Sequence, residues 1–305
     1  MDPPALLAVK LLANMAAGVF GLVLNSWIVH VNAKGWRRGF HPSLPDQILT
    51  FMGLINIALQ VVLCFDMTSI QTKSYSSFDQ IHLSCIGLFI FLISSNVWLT
   101  AWISIYYCMR IVHFTRGIFL VCKTRISRLL PKLLVVSTAA SFILCLLSFW
   151  NIYDVINVEV IGNSTYNHTR EQRSIAVSSP YEQIVFLGCI LPLILTLIPI
   201  GMTVSSLWRH MKRMRSNKAN SCHFRTEVHV RAVRTMVLLV SLHTTLLGAA
   251  IYTISQTFNF LEFFMFFCWY FIIFYPMAQA LVIITGNSKL REASRGVLCS
   301  RTITR

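Results

Sequence analysis

Seven apolar runs separated by short polar stretches set the pattern of this chain. They cover about residues 6 to 31, 44 to 66, 83 to 109, 130 to 152, 181 to 207, 235 to 257 and 261 to 285. A helix rising about 1.5 Å per residue needs roughly 20 apolar residues to cross the hydrocarbon core of a bilayer, so each run predicts one membrane span. No water reaches the backbone inside lipid, and a span must satisfy its own N–H and C=O groups. The expected fold is therefore an all-α membrane protein, a seven-transmembrane helix bundle over residues 1–291 with a short tail over residues 292–305. The first run is too long for the apolar core of a signal peptide and is read as the first span.

Composition agrees with this pattern. Hydrophobic residues make up 55% of the 305, charged residues only 12%, and the mean hydropathy is +0.65. A water-soluble surface needs about twice that share of charge. The charge that exists is placed asymmetrically, and this sets the orientation. Of 26 Lys and Arg, 22 fall in one alternating set of polar segments. They are Lys34, Arg37 and Arg38, six from Arg110 to Lys132, eight from Arg209 to Arg234, and five from Lys289 onward. Basic residues near span ends are retained in the cytoplasm, which predicts an outer amino terminus and an inner carboxyl terminus. Two glycosylation sequons, at Asn163 and Asn167, fall in the loop between spans 4 and 5, on the side this orientation makes extracellular. The net charge of +15 is thus explained by topology and contact with anionic lipid, and nucleic acid is not an expected partner.

Polar residues inside the spans narrow the reading. Asn25 in span 1, and Asn56 with Gln60 in span 2, are expected to face the bundle interior, because an amide in hydrocarbon needs a partner. Phe89, Ile93 and Asn96 recur at i, i+4 and i+7 and share one face of span 3. Span 4 carries no distinctive polar residue and reads as scaffold facing lipid. Pro192 and Pro199 in span 5 each remove a backbone hydrogen bond, and both a hinge and a fixed kink remain open readings. Glu227 to Arg234 reads as a polar helical extension of span 6. A lone His243 in that span is expected to be a hydrogen-bonded interior residue.

No nucleophile and base, metal-ligand spacing, phosphate-cradling glycine loop or internal repeat is visible. The spans hold essentially no charge away from their ends, which disfavours ion coupling. No enzyme activity, cofactor or metal is expected. Nine cysteines are scattered without a C-x-x-C pair.

Motifs at four separated places resemble the bitter taste receptors, the type 2 taste receptor family of G-protein-coupled receptors. Ile103 to Thr115, containing Tyr106-Tyr107-Cys108-Met109-Arg110, is similar to L-S-x-F-Y-x-x-K-I-A-x-F-S, and Leu120, Lys123, Arg125 and Ile126 follow as L-x-x-K-x-R-I. Ser206-Leu207-Trp208-Arg209-His210 matches S-L-W-K-H, and His229-Val230-Arg231-Ala232 matches H-x-x-A. Tyr275-Pro276 and Gly286-Asn287-Ser288-Lys289-Leu290-Arg291 resemble Y-P-S-x-H-S and G-N-x-K-L-K. The chain departs from the family where it carries Asn56 in place of an arginine and Gln279 in place of a histidine. Asn25, Asn56 and Gln279 would then form a neutral interior network. Cys85 has no cysteine between Asp154 and Pro180 to pair with, unlike most rhodopsin-like receptors.

The resemblance implies a plasma-membrane receptor that binds small bitter compounds, here expected to be uncharged and lipophilic, and activates a gustducin-type heterotrimeric G protein. The expected ligand site is Phe89, Ile93, Asn96, Phe186, Leu246, Ala250 and Trp269. The expected G-protein face is Tyr107, Arg110, Lys123, Arg125, Arg209, His210, His229 and Arg231. Two rivals stand beside it: a type 1 vomeronasal pheromone receptor with the same seven-span plan, and a small-solute transporter.

Overall fold

The computed structural model describes residues 4–37, 39, 43–71, 80–112, 125–126, 128–147, 186–216, 223–255 and 262–303. In chain order the helices are α1 Pro4–Arg37, α2 Leu44–Gln71, α3 Gln80–Ile111, α4 Arg128–Leu147, α5 Leu191–Ser216, α6 His223–Ser255, α7 Glu262–Gly286 and α8 Ser288–Ile303. A five-residue π-helical turn, Phe186–Ile190, leads into α5. No strand occurs among the described residues. Helices α1 to α7 each contain a stretch long and apolar enough to cross a membrane, matching the seven runs. Asn163, Asn167 and Lys123 lie outside the described residues, as do the side chains of Phe186, His210 and His229.

Local chemistry sets the helix ends. Past α1 the chain turns at Gly39, whose φ of 80° suits a residue without Cβ, and the Gly39 N–H donates to the Trp36 carbonyl at 3.1 Å. Ser43 caps α2: its Oγ accepts from the Asp46 N–H at 3.3 Å and its carbonyl from the Gln47 N–H at 3.0 Å. Asn287 separates α7 from α8, its Oδ1 accepting the Lys289 N–H at 2.9 Å and the Leu290 N–H at 3.4 Å. The polar stretch ahead of span 6 is helical, so α6 begins at His223, well before its apolar run.

Consecutive spans run antiparallel. Asn14 near the start of α1 donates to Thr68 near the end of α2 at 3.0 Å, and Asn32 near the end of α1 donates to the Asp46 carbonyl at the start of α2 at 3.5 Å. Lys34, Arg37, Arg110, Arg128, Arg209, Arg231 and Lys289 consequently gather at one end of the bundle, hereafter the basic end. Helix α3 is central, packing against α2, α5 and α6, while α1 lies against α2 and α7.

Two large apolar clusters lie in the interior. One joins Leu63 of α2, Ile93 and Val97 of α3, Leu193 of α5, Leu246 of α6 and Ile272 of α7. The other, toward the basic end, joins Ile28 of α1, Met52 of α2, Ile103 of α3, Leu130 of α4, Ile283 of α7 and Leu290 of α8.

Helix α4 departs from the reading of a span without distinctive polar residues. Three bonds hold it along α3: Cys145 Sγ to the Gly87 carbonyl at 3.2 Å, Ser94 Oγ with Ser141 Oγ at 2.9 Å, and Trp102 Nε1 to Ser137 Oγ at 3.1 Å. Small hydroxyl and thiol groups escape notice in a sequence because helices tolerate them anywhere. Their spacing of four residues, at 137, 141 and 145, is what places them on one face.

Candidate functional site

Four amides meet at the centre of the bundle, each fully buried. Asn25 Nδ2 donates to the carbonyls of Gly21 at 2.8 Å and Pro276 at 3.2 Å, while its Oδ1 accepts from Asn56 Nδ2 at 3.0 Å. Asn56 Oδ1 in turn accepts from Asn96 Nδ2 at 2.7 Å. Asn96 and Gln279 pair amide to amide, Nδ2 to Oε1 at 2.9 Å and Nε2 to Oδ1 at 3.0 Å. The chain of bonds links α1, α2, α3 and α7 without a formal charge. Asn96, expected in the ligand site, has its amide engaged in this junction. Gln60, one turn from Asn56, stays outside it and approaches Cys64 Sγ at 3.6 Å, its Oε1 lying without a hydrogen-bond partner among the described residues.

The remaining expected ligand residues divide between clusters. Ile93 and Leu246 belong to the large apolar cluster, with Phe89 packed against it. Trp269 packs instead with Phe274 against Ala17, Met67 and Ile273, where α7 meets α1 and α2. Ala250 is half-buried on α6. Phe89, Ile93 and Leu246 thus share one cluster, and Trp269 belongs to another.

A second connection ties α6 to α7. His243 Nδ1–H donates to the Leu239 carbonyl at 2.7 Å, which leaves Nε2 to accept the Tyr275 hydroxyl at 2.9 Å. The carbonyl can only accept, so it fixes the tautomer. The rings lie edge to face, 5.6 Å apart at 74°.

At the basic end a cavity of about 160 Å³ opens between α2, α3, α6 and α7. Tyr107 of α3 and Arg231 of α6, both expected on the G-protein face, line it together with Leu49 of α2 and Asn287 beyond α7. The other basic residues sit apart from it. Arg110 is exposed, its guanidinium 5.6 Å from the Tyr106 ring centre and its Nε 3.3 Å from the Tyr106 hydroxyl. Arg209 is exposed and donates to its own helix at the Ser205 carbonyl, 3.3 Å. Arg125 is exposed.

One ion pair at this end was not anticipated from the sequence. Lys289 Nζ lies 3.1 Å from Asp46 Oδ2 and 3.2 Å from Asn32 Oδ1, joining α8 to α2 and α1. The signal was a lone acid in the first turn of span 2, which reads equally as a helix-start charge.

The arrangement of helices resembles that of a solved rhodopsin. It superposes on squid rhodopsin with a TM-score of 0.62 over 96% of this chain and 85% of that one, at 11% identity, which speaks to the fold alone. Among full-length relatives, taste receptor type 2 member 40 of Gallus gallus is 28% identical over 92% of this chain and 91% of its own length. Taste receptor type 2 member 39 of Homo sapiens is 27% identical over 95% and 86%, and member 4 of Homo sapiens 26% over 95% and 96%. The sequence model described as "Taste receptor protein (TAS2R)" matches residues 3–302. With nearly the whole chain covered by that match, and with a seven-helix receptor fold beneath it, this multi-pass membrane protein belongs to the type 2 taste receptor family.

Proposed function

We propose that this chain is a plasma-membrane bitter receptor, with its amino terminus outside and its basic end in the cytosol, that binds small uncharged lipophilic compounds and activates a gustducin-type G protein. The observation that carries the reading is the cavity at the basic end, where Tyr107 and Arg231 from α3 and α6 face a shared space. A partner protein entering there would read the separation of those two helices. The ligand side rests on the apolar cluster around Ile93 and Leu246, whose members on α3, α5, α6 and α7 carry no charge. Pockets of that kind bind apolar molecules and orient them with a few polar groups. A ligand shifts the resting equilibrium only by its differential affinity for the open form.

Expression in cells with a promiscuous G-protein α subunit, reading calcium against a panel of bitter compounds, tests the function. A response is expected only when the α subunit is present. Phe89→Ala and Trp269→Ala are expected to weaken potency by roughly tenfold at equal surface delivery, the effect of losing about 1.4 kcal/mol of binding. Unchanged potency in both would move the ligand away from these helices. An antibody against a carboxyl-terminal tag is expected to label only permeabilised cells.

A further inference from the structure

Helices α6 and α7 are joined at two heights, and the two joints differ in kind. The deeper one is the buried His243–Tyr275 hydrogen bond. Eight residues nearer the basic end, about 12 Å along the helix, Thr235 of α6 lies flush against Gly286 of α7. A Cβ built on Gly286 would collide with Thr235 Oγ1 and would stand 2.7 Å from its Cγ2 and 2.9 Å from its Cβ. Real Cβ atoms essentially never come so close, so the approach depends on the missing side chain.

Polar accounting at the two joints points in opposite directions. Parting His243 from Tyr275 would strand two buried groups. Thr235 Oγ1 already donates to the Arg231 carbonyl of its own helix at 2.9 Å, so parting Thr235 from Gly286 strands nothing. The deeper joint resists opening, and the one nearer the basic end holds by packing alone. Both Thr235 and Gly286 line the cavity at the basic end, as do the nearly inaccessible Met236 and Leu239.

We propose that the Thr235–Gly286 contact is a steric latch that keeps the cavity narrow in the resting receptor, and that α6 swings about the His243–Tyr275 joint when the latch parts. This deepens the receptor reading, since it names the contact on which ligand-independent signalling depends. It also makes a claim about shape that stands without any G protein.

Gly286→Ala wedges the latch. It is expected to raise ligand-independent signalling about fivefold at equal surface delivery, which is what roughly 1 kcal/mol of overpacking does to a two-state ratio. Thr235→Leu applies the wedge from α6 with the α7 backbone untouched and serves if Gly286→Ala reaches the membrane poorly. The double change Thr235→Gly with Gly286→Ala moves the missing side chain to the other helix, and is expected to return signalling to the level of Thr235→Gly alone. The independent readout is Met236→Cys, labelled by a thiol reagent at the basic face of purified receptor without ligand or G protein and read over the labelling of the nine native cysteines. Labelling is expected to speed up in the wedged variants. Faster labelling without signalling would uphold the latch and sink the G-protein reading. Unchanged labelling in both wedged variants, or a double variant that stays as open as Gly286→Ala, would overturn the latch.

Discussion

Asn96 shows how much one side chain can hold. Both N–H groups and the carbonyl of its amide are matched by Asn56 and Gln279, on different helices. Asn96→Ala would leave Asn56 Oδ1 and both polar ends of Gln279 short of partners in a site without exposure. Each stranded group costs about 1–3 kcal/mol, so the purified receptor is expected to melt several degrees lower. Asn96→Leu, which adds bulk without restoring a bond, should do no better. At this scale the sequence was partly readable. Asn25 and Asn56, with Gln60, could be assigned to the interior because an amide in lipid needs a partner, whereas Gln279 joined them only through the family resemblance. Asn96 could not be separated from a ligand site, because its spacing from Phe89 and Ile93 says only that the three share a helical face. The partner it turns to depends on helix rotation, and Gln279 of α7 is 183 residues away in the chain.

Helix α5 carries a defect and its repair together. In a regular helix the Gly188 carbonyl would accept from the N–H of residue 192, which is proline and has none. Ser94 Oγ of α3 donates to that carbonyl at 3.0 Å, inside the π-helical turn that leads into α5. The fixed-kink reading of Pro192 therefore has a named partner on α3. Ser94→Ala should lower stability by about 1 kcal/mol, the value of one such bond. In a Pro192→Ala background, where the helix can supply its own donor, the loss should shrink, and a thermal melt of the four variants measures the difference. A pair of losses that simply add would remove Ser94 from this role. Proline was visible in the sequence as a break in hydrogen bonding. The π-helical turn was not, since no residue type specifies it, and the donor that tolerates it belongs to another helix.

Across the whole molecule, seven spans were legible because hydrophobic length is a one-dimensional quantity. Neighbour relations were legible only in part. The meeting of α8 with α2 and α1 through Lys289, Asp46 and Asn32 closes the chain on itself, and no local pattern announces it. The Lys289 side chain is 40% exposed and that of Asp46 18%, so screening keeps the pair to roughly 1 kcal/mol or less. Lys289→Glu is expected to cost about that much through repulsion with Asp46. The exchange Lys289→Asp with Asp46→Lys should recover part of it, and the recovery should fade in high salt. Burial of Leu290 beside it, with no exposed surface, gives α8 a packing anchor that salt does not touch. A receptor whose α8 detaches entirely in Lys289→Glu would show that the ion pair, rather than Leu290, seats the helix.

The four-amide junction has a further consequence for how the molecule meets its surroundings. Amides neither gain nor release a proton across the range that cells and their secretions span, so the knot joining α1, α2, α3 and α7 is the same object in acid as at neutrality. Sourness in the medium has no purchase on that junction. A stimulus reaches it only by moving helices.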